Sequence, residues 1–265
     1  MKKPLIAFTV ADEKNMPMAR KFLNNIRKFH TELELPFVIV DNEKIGSYND
    51  PKFFYRATPL IASEFIKDYE LVIKLDCDQI AFSPLNHLWE HTDYDVGTVL
   101  NINRVDPARY GFVTTSVIDP AEYYNCGLVA MRSEEFIRHW LSTCYSNYFD
   151  RLQYREQDLL NIICHFGNYN VRCFDRFDPF SNTSAWWGLV SKGETMKMVK
   201  YKDGVLLPKG QDGYPDRDVD VKLFHWAGGG NEPKNHRTIF NEEIIDYIDW
   251  LQSDENVGQE TKDII

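Results

Sequence analysis

Apolar residues along the chain fall into short continuous runs separated by longer stretches of helical period. Leu5-Ile6-Ala7-Phe8-Thr9-Val10 is a β-rich run. A polar turn follows it, and then Met18, Phe22, Leu23, Ile26 and Phe29 recur at the spacing of one helix face. Pro36 to Asp41 returns as a second strand. Strand, helix, strand in that order predicts a parallel α/β sheet, whose ligands bind outside the carboxyl ends of the strands. Asp12 and Asp41 lie at such ends. A helical segment near Pro59 to Phe65 leads into Leu71-Val72-Ile73-Lys74-Leu75, which reads as a buried central strand and terminates in Asp76-Cys77-Asp78.

The second half continues with an apolar run at Val96 to Leu100, a loop-rich stretch to Asp119 and a strand at Cys126 to Met131. A helix is expected from Ser133, which serves as N-cap with Glu134 and Glu135 in the first turn. Another helical pattern runs from Glu156 through Leu159, Leu160, Ile162 and Ile163. Arg172 to Gly213 is aromatic and turn-rich and yields no assignment. Val221 to His225 reads as a strand entering Gly228-Gly229-Gly230, and Ile239 to Leu251 as a closing amphipathic helix. One domain over 1–252 with a polar tail at 253–265 is the expectation.

With 265 residues, 43% of them hydrophobic, the chain can bury a substantial core. No stretch has the apolar length of a membrane helix, and Met1-Lys2-Lys3-Pro4 passes directly into a strand-like run instead of a signal core. The expected compartment is the cytosol. Five cysteines without CxxC spacing argue against a disulfide framework and a zinc cage. A net charge of -10 argues against nucleic acid or an anionic membrane as the main partner.

Two carboxylates one residue apart at the end of a hydrophobic strand are costly to desolvate without a cation beside them. Mg²⁺ and Mn²⁺ prefer oxygen ligands and share them with a diphosphate, so this pair suits a nucleotide-sugar site. An isolated Asp-x-Asp is common in turns. Its place at the end of a buried strand is what distinguishes Asp76 and Asp78.

Phe54-Tyr55-Arg56-Ala57-Thr58-Pro59, with Asp68 to Asp78 after it, resembles the donor-site core of GT-A-fold, Rossmann-like glycosyltransferases. The likeness is greatest to the retaining family, family eight, that includes glycogenin and bacterial lipopolysaccharide glucosyl- and galactosyltransferases. Val10-Ala11-Asp12 is similar to that family's base-reading turn, and Tyr124-Asn125-Cys126-Gly127-Leu128 to its segment beside the donor sugar. Glu156-Gln157-Asp158-Leu159-Leu160-Asn161 is similar to its segment at the reacting sugar. His225-Trp226-Ala227-Gly228 is similar to the segment whose histidine completes the metal shell. The joint order, from Asp12 to Lys234, is more specific than any one motif. Three positions depart from the pattern: Glu156 replaces an aspartate, Cys126 a serine, and the lysine expected after His-x-x-Gly is displaced to Lys234, with Asn231 in its place.

The resemblance implies a mainly parallel central sheet and metal-dependent transfer of a hexose from a nucleoside diphosphate, UDP-glucose or UDP-galactose first, with retention of configuration. The acceptor is a saccharide, a lipid-linked group or a protein. It implies Mn²⁺ or Mg²⁺ on Asp76, Asp78 and His225, and donor contacts from Ala11, Asp12, Arg56, Cys77, Asn125, Gly228 and Lys234. Arg56 is expected to brace Asp76 or the donor sugar. Gln157, Glu156 and Asp158 form the catalytic segment, with Gln157 nearest the anomeric carbon and Glu156 the alternative nucleophile.

Each residue also has a plainer reading. His225 is a packed histidine, Glu156 and Asp158 are solvated first-turn acids, Gly127 permits a close backbone approach, and Cys77 fills space between two aspartates. Trp186 and Trp187 stack on an acceptor sugar or pack in a lid or core. Two other functions compete: a sugar nucleotidyltransferase, which needs a glycine-rich phosphate loop that Ala11 to Asn15 lacks, and a non-catalytic adaptor on a transferase scaffold.

Overall fold

The computed structural model describes residues 2–48, 52–100, 117–119, 122–174, 183–185, 222–225 and 242–254. Its central sheet contains β1 (Ile6–Val10), β2 (Phe37–Val40), β3 (Val72–Leu75), β5 (Val96–Leu100), β6 (Tyr124–Met131) and β7 (Val171–Cys173), in the order β2-β1-β3-β6-β5-β7. β1 is parallel to β2 and β3, and β5 is parallel to β7, whereas β6 is antiparallel to both of its neighbours. Five strands therefore point one way, as a mainly parallel sheet requires. A second sheet, unforeseen in the sequence, joins β4 (Gln79–Ala81), β9 (Leu223–His225) and β8 (Thr183–Ala185) in the order β4-β9-β8.

The helices are α1 (Met16–Phe29), α2 (Asn42–Gly46), α3 (Phe53–Phe65), α4 (His87–Glu90), α5 (Glu134–Cys144), α6 (Glu156–Phe166) and α7 (Glu242–Leu251). Period-two alternation divides the sheet's side chains between two cores. Ile6, Phe8 and Val72 face one core with Ile61 of α3, Trp140 of α5 and Leu160 of α6. Ala7, Ile73 and Leu75 face the other with Phe22 and Ile26 of α1. With both faces covered, the strands read as continuous apolar runs.

Ser133 caps α5 as expected, accepting from Phe136 N–H at 3.1 Å. α3 corrects the sequence reading: it begins at Phe53, six residues before the expected start, and carries Pro59 inside. Burial of Ala57, Ile61 and Ala62 stabilises this helix despite the missing N–H of proline. β6 likewise starts two residues earlier than expected, at Tyr124. Residues 239–241 of the expected closing helix and the tail from 255 lie outside the described residues. All five cysteines are free thiols, and among the described residues no helix is long and apolar enough to cross a membrane.

Two buried asparagines act as extra peptide groups between layers. Asn25 of α1 donates to Ala81 C=O at 2.7 Å and accepts from Ala81 N–H at 2.6 Å, tying α1 to the second sheet. Asn161 of α6 accepts from Tyr124 N–H at 2.6 Å and donates to Tyr124 C=O and Gln157 C=O, both at 2.9 Å. That pairing fixes the head of β6 against α6. Asn161→Leu leaves buried backbone groups of Tyr124 without partners, so urea denaturation should show a loss of roughly 2–5 kcal/mol.

Candidate functional site

β1 and β3 end at one edge of the sheet, and the polypeptide there delivers Asp12 and the Asp76-Cys77-Asp78 turn. β6 begins at the same edge because it runs the opposite way, and α6 starts there too. The pairing of β5 with β6 is irregular: Thr98 pairs with Val129, but Val99 pairs with Asn125. The Thr98 hydroxyl fills the gap, 3.0 Å from Asn125 C=O and 3.1 Å from Leu128 C=O. The bulge turns Cys126 and Gly127 toward the aspartates. Asp76 N–H donates to Gly127 C=O at 2.8 Å, and Gln79 Nε2 donates to the same carbonyl at 2.9 Å.

β9 brings His225 to this turn from the second sheet, pairing with Gln79. His225 Nε2 lies 3.1 Å from Asp78 Oδ1 and 3.5 Å from Asp76 Oδ2. The imidazole packs against Gly127 so closely that a Cβ there would sit 2.6 Å from Nδ1 and 2.7 Å from Asn125 Oδ1. Gly127 is thus the residue whose missing side chain admits the histidine. Burial opposes charge on the ring, but Asp78 and then Asp76 outweigh it and raise its pKa above the ordinary value.

One ligand atom from each of Asp76, Asp78 and His225 lies within 4.8 Å of the others. Two carboxylates and an imidazole suit Mn²⁺ or Mg²⁺, leaving further positions for phosphate oxygens. The donor set fits the expected cation. Holding a metal requires His225 to be neutral, so affinity falls as pH drops and the ring takes a proton.

Lys74, given no role in the sequence reading, is buried in β3 and bonded to Asp76 Oδ1 and, at 2.8 Å, to Cys126 C=O. Burial disfavours its charge, yet Asp76 keeps its pKa above the usual lysine value. Lys74 and His225 thereby take opposite oxygens of Asp76, which fixes that carboxylate. A lysine inside Leu71-Val72-Ile73-Lys74-Leu75 was itself the signal, since a buried strand carries a charge only beside a partner.

Glu156 opens α6 next to this group. Its Oε2 is shielded from solvent and has no hydrogen-bond partner among the described residues. Burial, reinforced by Asp76 and opposed by Lys74, pushes its carboxyl up to about 7. Gln157 Oε1 accepts from Cys126 N–H at 3.0 Å, which sets the amide across the bulge. Asp158 is fully buried, accepting from Tyr123 Oη at 2.7 Å and Tyr154 N–H at 2.8 Å. The solvated first-turn reading of Asp158 is therefore wrong: its carboxylate braces the segment from inside. Tyr123, its partner, had no signal in the sequence beyond preceding the Tyr124 segment.

Ala11 is buried at the end of β1, and Asp12 Oδ1 accepts from Asn15 N–H at 2.9 Å. Cys77, between the aspartates, is partly buried, and burial pushes its thiol up, so it contributes no thiolate. Asn125 Oδ1 accepts from Gly127 N–H at 2.7 Å. Arg56 donates to Cys144 C=O at 2.9 Å and lies over the rings of Tyr145 and Phe149. These contacts belong to the seam between α3 and the end of α5, while the cation bonded to Asp76 is Lys74. Gly228, Lys234, Asn231, Trp186 and Trp187 lie outside the described residues.

No family model and no curated protein matches the sequence. Solved structures match along nearly all of it. The galactosyltransferase LgtC, in a complex with donor and acceptor sugar analogues, aligns with a TM-score of 0.60 at 16% identity, covering 92% of this chain and 94% of its own. The bifunctional glycosyltransferase WbbM gives 0.61 at 12%, covering 96% of this chain and 50% of that one. Mouse xyloside xylosyltransferase 1 gives 0.53 at 11%, covering 88% and 100%. At these identities the likeness establishes the fold: this chain has the GT-A fold of glycosyltransferases.

Gly127→Ala should displace the imidazole and weaken Mn²⁺ binding at least tenfold by calorimetry while the protein stays folded. Glu156 gives a pH-dependent outcome. Its folded pKa lies above its ordinary 4.5, so ionising it costs stability; that cost is absent below about pH 4.5, grows as pH rises and is complete above about 7. Glu156→Gln should therefore stabilise the metal-free protein by on the order of 2–3 kcal/mol at about pH 8, and by almost nothing near pH 4.5, in paired thermal melts.

Proposed function

We propose that the chain is a metal-dependent hexosyltransferase that takes glucose or galactose from a UDP-sugar and passes it to an acceptor with retention of anomeric configuration. The observation that carries this reading is the convergence of Asp76, Asp78 and His225 at the carboxyl edge of a GT-A sheet. Mn²⁺ or Mg²⁺ held by these three would supply positive charge to the diphosphate.

The remaining work falls to the chain's own groups. Asp12 Oδ1 is engaged by Asn15, so Oδ2 is assigned to the N–H of the uracil ring. Lys74 fixes the Asp76 carboxylate and adds a permanent positive charge beneath the site. Asn125, Glu156 and Gln157 line the donor sugar; near neutral pH the Glu156 carboxyl can donate or accept a hydrogen bond to a sugar hydroxyl. Asp158 acts from behind, through Tyr123 and Tyr154. Arg56 and Lys234 are proposed to reach the donor sugar and the diphosphate.

Transfer breaks the bond between the anomeric carbon and the β-phosphate oxygen, and the acceptor hydroxyl attacks from the same face. The acceptor's proton passes to the departing phosphate oxygen. Gln157, an amide already held by Cys126 N–H, is a positioned dipole under the ring and a poor nucleophile. Glu156 is the residue that would serve a two-step route. The five free thiols fit the reducing cytosol, where nucleotide sugars are available.

Purified protein incubated with a panel of UDP- and GDP-sugars should release nucleotide from a UDP-hexose with Mn²⁺ or Mg²⁺, and EDTA should abolish release. Asp78→Asn should lower release roughly 100-fold or more. Unchanged metal-dependent release in that variant would overturn the metal assignment. Absence of release from every donor, together with absence of UDP binding, would favour the adaptor function.

A further inference from the structure

Beside the metal centre, on the same edge of the sheet, lies a cluster of arginines and tyrosines of which Arg56 alone enters the chemistry above. Topology puts it there. α3 leads into β3 and so starts at the carboxyl edge; α5 follows the antiparallel β6 and ends there; α6 starts there. The first turn of α3 and the connection 145–155 therefore meet next to Glu156.

Arg155, immediately before Glu156, has φ 45°, the one positive φ outside glycine among the described residues. Backbone strain of this kind persists where the surroundings hold a residue in place, and it concentrates at ligand clamps. The Arg155 guanidinium lies 3.7 Å over the Tyr55 ring, that of Arg56 4.5 Å over Tyr145, and that of Arg151 6.0 Å from Tyr148. The tyrosines are 42%, 52% and 65% exposed in the order Tyr55, Tyr145, Tyr148. Lys52 pairs with Asp150, and the hydrogen bond from Lys52, then the charges of Lys52, Arg155 and Arg56, hold the Asp150 carboxyl below its ordinary value. Three cations thus gather around one carboxylate on a chain of net charge -10.

We propose that this patch is the acceptor subsite and that the acceptor is a saccharide bearing a carboxylate or phosphate, its ring against the exposed tyrosines and its anion on Arg155 and Arg151. Guanidinium forks match both anions, and tyrosine offers an apolar face with a polar tip to a sugar. A strongly acidic protein repels such an acceptor in general, so a local cationic patch at the mouth of the site offsets that repulsion. The inference rests on the transferase reading of the adjoining site.

The test is NMR-detected binding, in the presence of UDP and Mg²⁺, of a glucuronate-terminated disaccharide, a hexose phosphate and the neutral disaccharide. The wild type should bind at least one anionic saccharide at least tenfold tighter than the neutral one, with the preference reduced by added salt. Arg151→Glu and, separately, Arg155→Ala should erase that preference, while calorimetric UDP–Mg²⁺ affinity stays within about twofold and shows that each variant is folded. Equal binding of neutral and anionic sugars, or a preference untouched in both variants, would overturn the proposal. Binding to vesicles containing anionic lipid, without selectivity among saccharides, would also overturn it and assign the patch to a membrane surface. Failure of wild-type UDP binding would instead remove the transferase reading beneath it.

Discussion

Three carboxyl groups, Asp76, Asp78 and Glu156, meet where a buried strand surfaces, and among the described residues Lys74 and His225 stand against them, with Arg155 beside Glu156. Desolvated negative charge in excess of positive charge is the constraint the rest of the site answers. Two symptoms follow from it in the metal-free protein. Burial and Asp76 drive the Glu156 carboxyl toward its neutral form, and Asp78 draws a proton onto His225. A divalent cation relieves both at once, so the chemistry of the donor set and its electrostatics agree.

Meeting that constraint dictates the irregular course of β6 and what packs on it. β6 must bulge so that Cys126 C=O can reach Lys74 and Gly127 C=O can reach Asp76 N–H. Thr98 satisfies the carbonyls opened by the bulge, and Asn161 clamps the strand just ahead of it. Gly127 gives up its side chain so that His225, carried on a separate small sheet, can close on the aspartates. The helices α3, α5 and α6 then bury the sheet face of Ile6 and Val72 and each brings one terminus to the site, which is why the Arg–Tyr patch adjoins it.

Much of the fold could be read from the sequence because parallel strands covered on both faces appear as uninterrupted apolar runs, as at Ile6 to Val10 and Val72 to Leu75. The Asp76, Asp78 and His225 group was legible for a different reason: its residues end or follow such runs. β4 and β8 were not legible, being three residues each, and β9, though it reads as a strand, pairs with β4 across more than a hundred positions. Pro59 misplaced the start of α3, because local propensity argues for a boundary that tertiary packing overrides. Asp158 was misread as solvated, since an acid in a first helical turn looks the same in sequence whether water or Tyr123 receives it. The role of Lys74 was missed because its partners, Asp76 and Cys126 C=O, converge only once β3 and the bulged β6 pair.

His225 is proposed to join Asp76 and Asp78 on one metal ion. Electron spin echo envelope modulation of Mn²⁺ bound with UDP to protein carrying ¹⁵N-labelled histidine tests it most directly. Coupling to a single histidine nitrogen is expected, absent from His225→Gln. Bound Mn²⁺ without any histidine coupling in the wild type would contradict it.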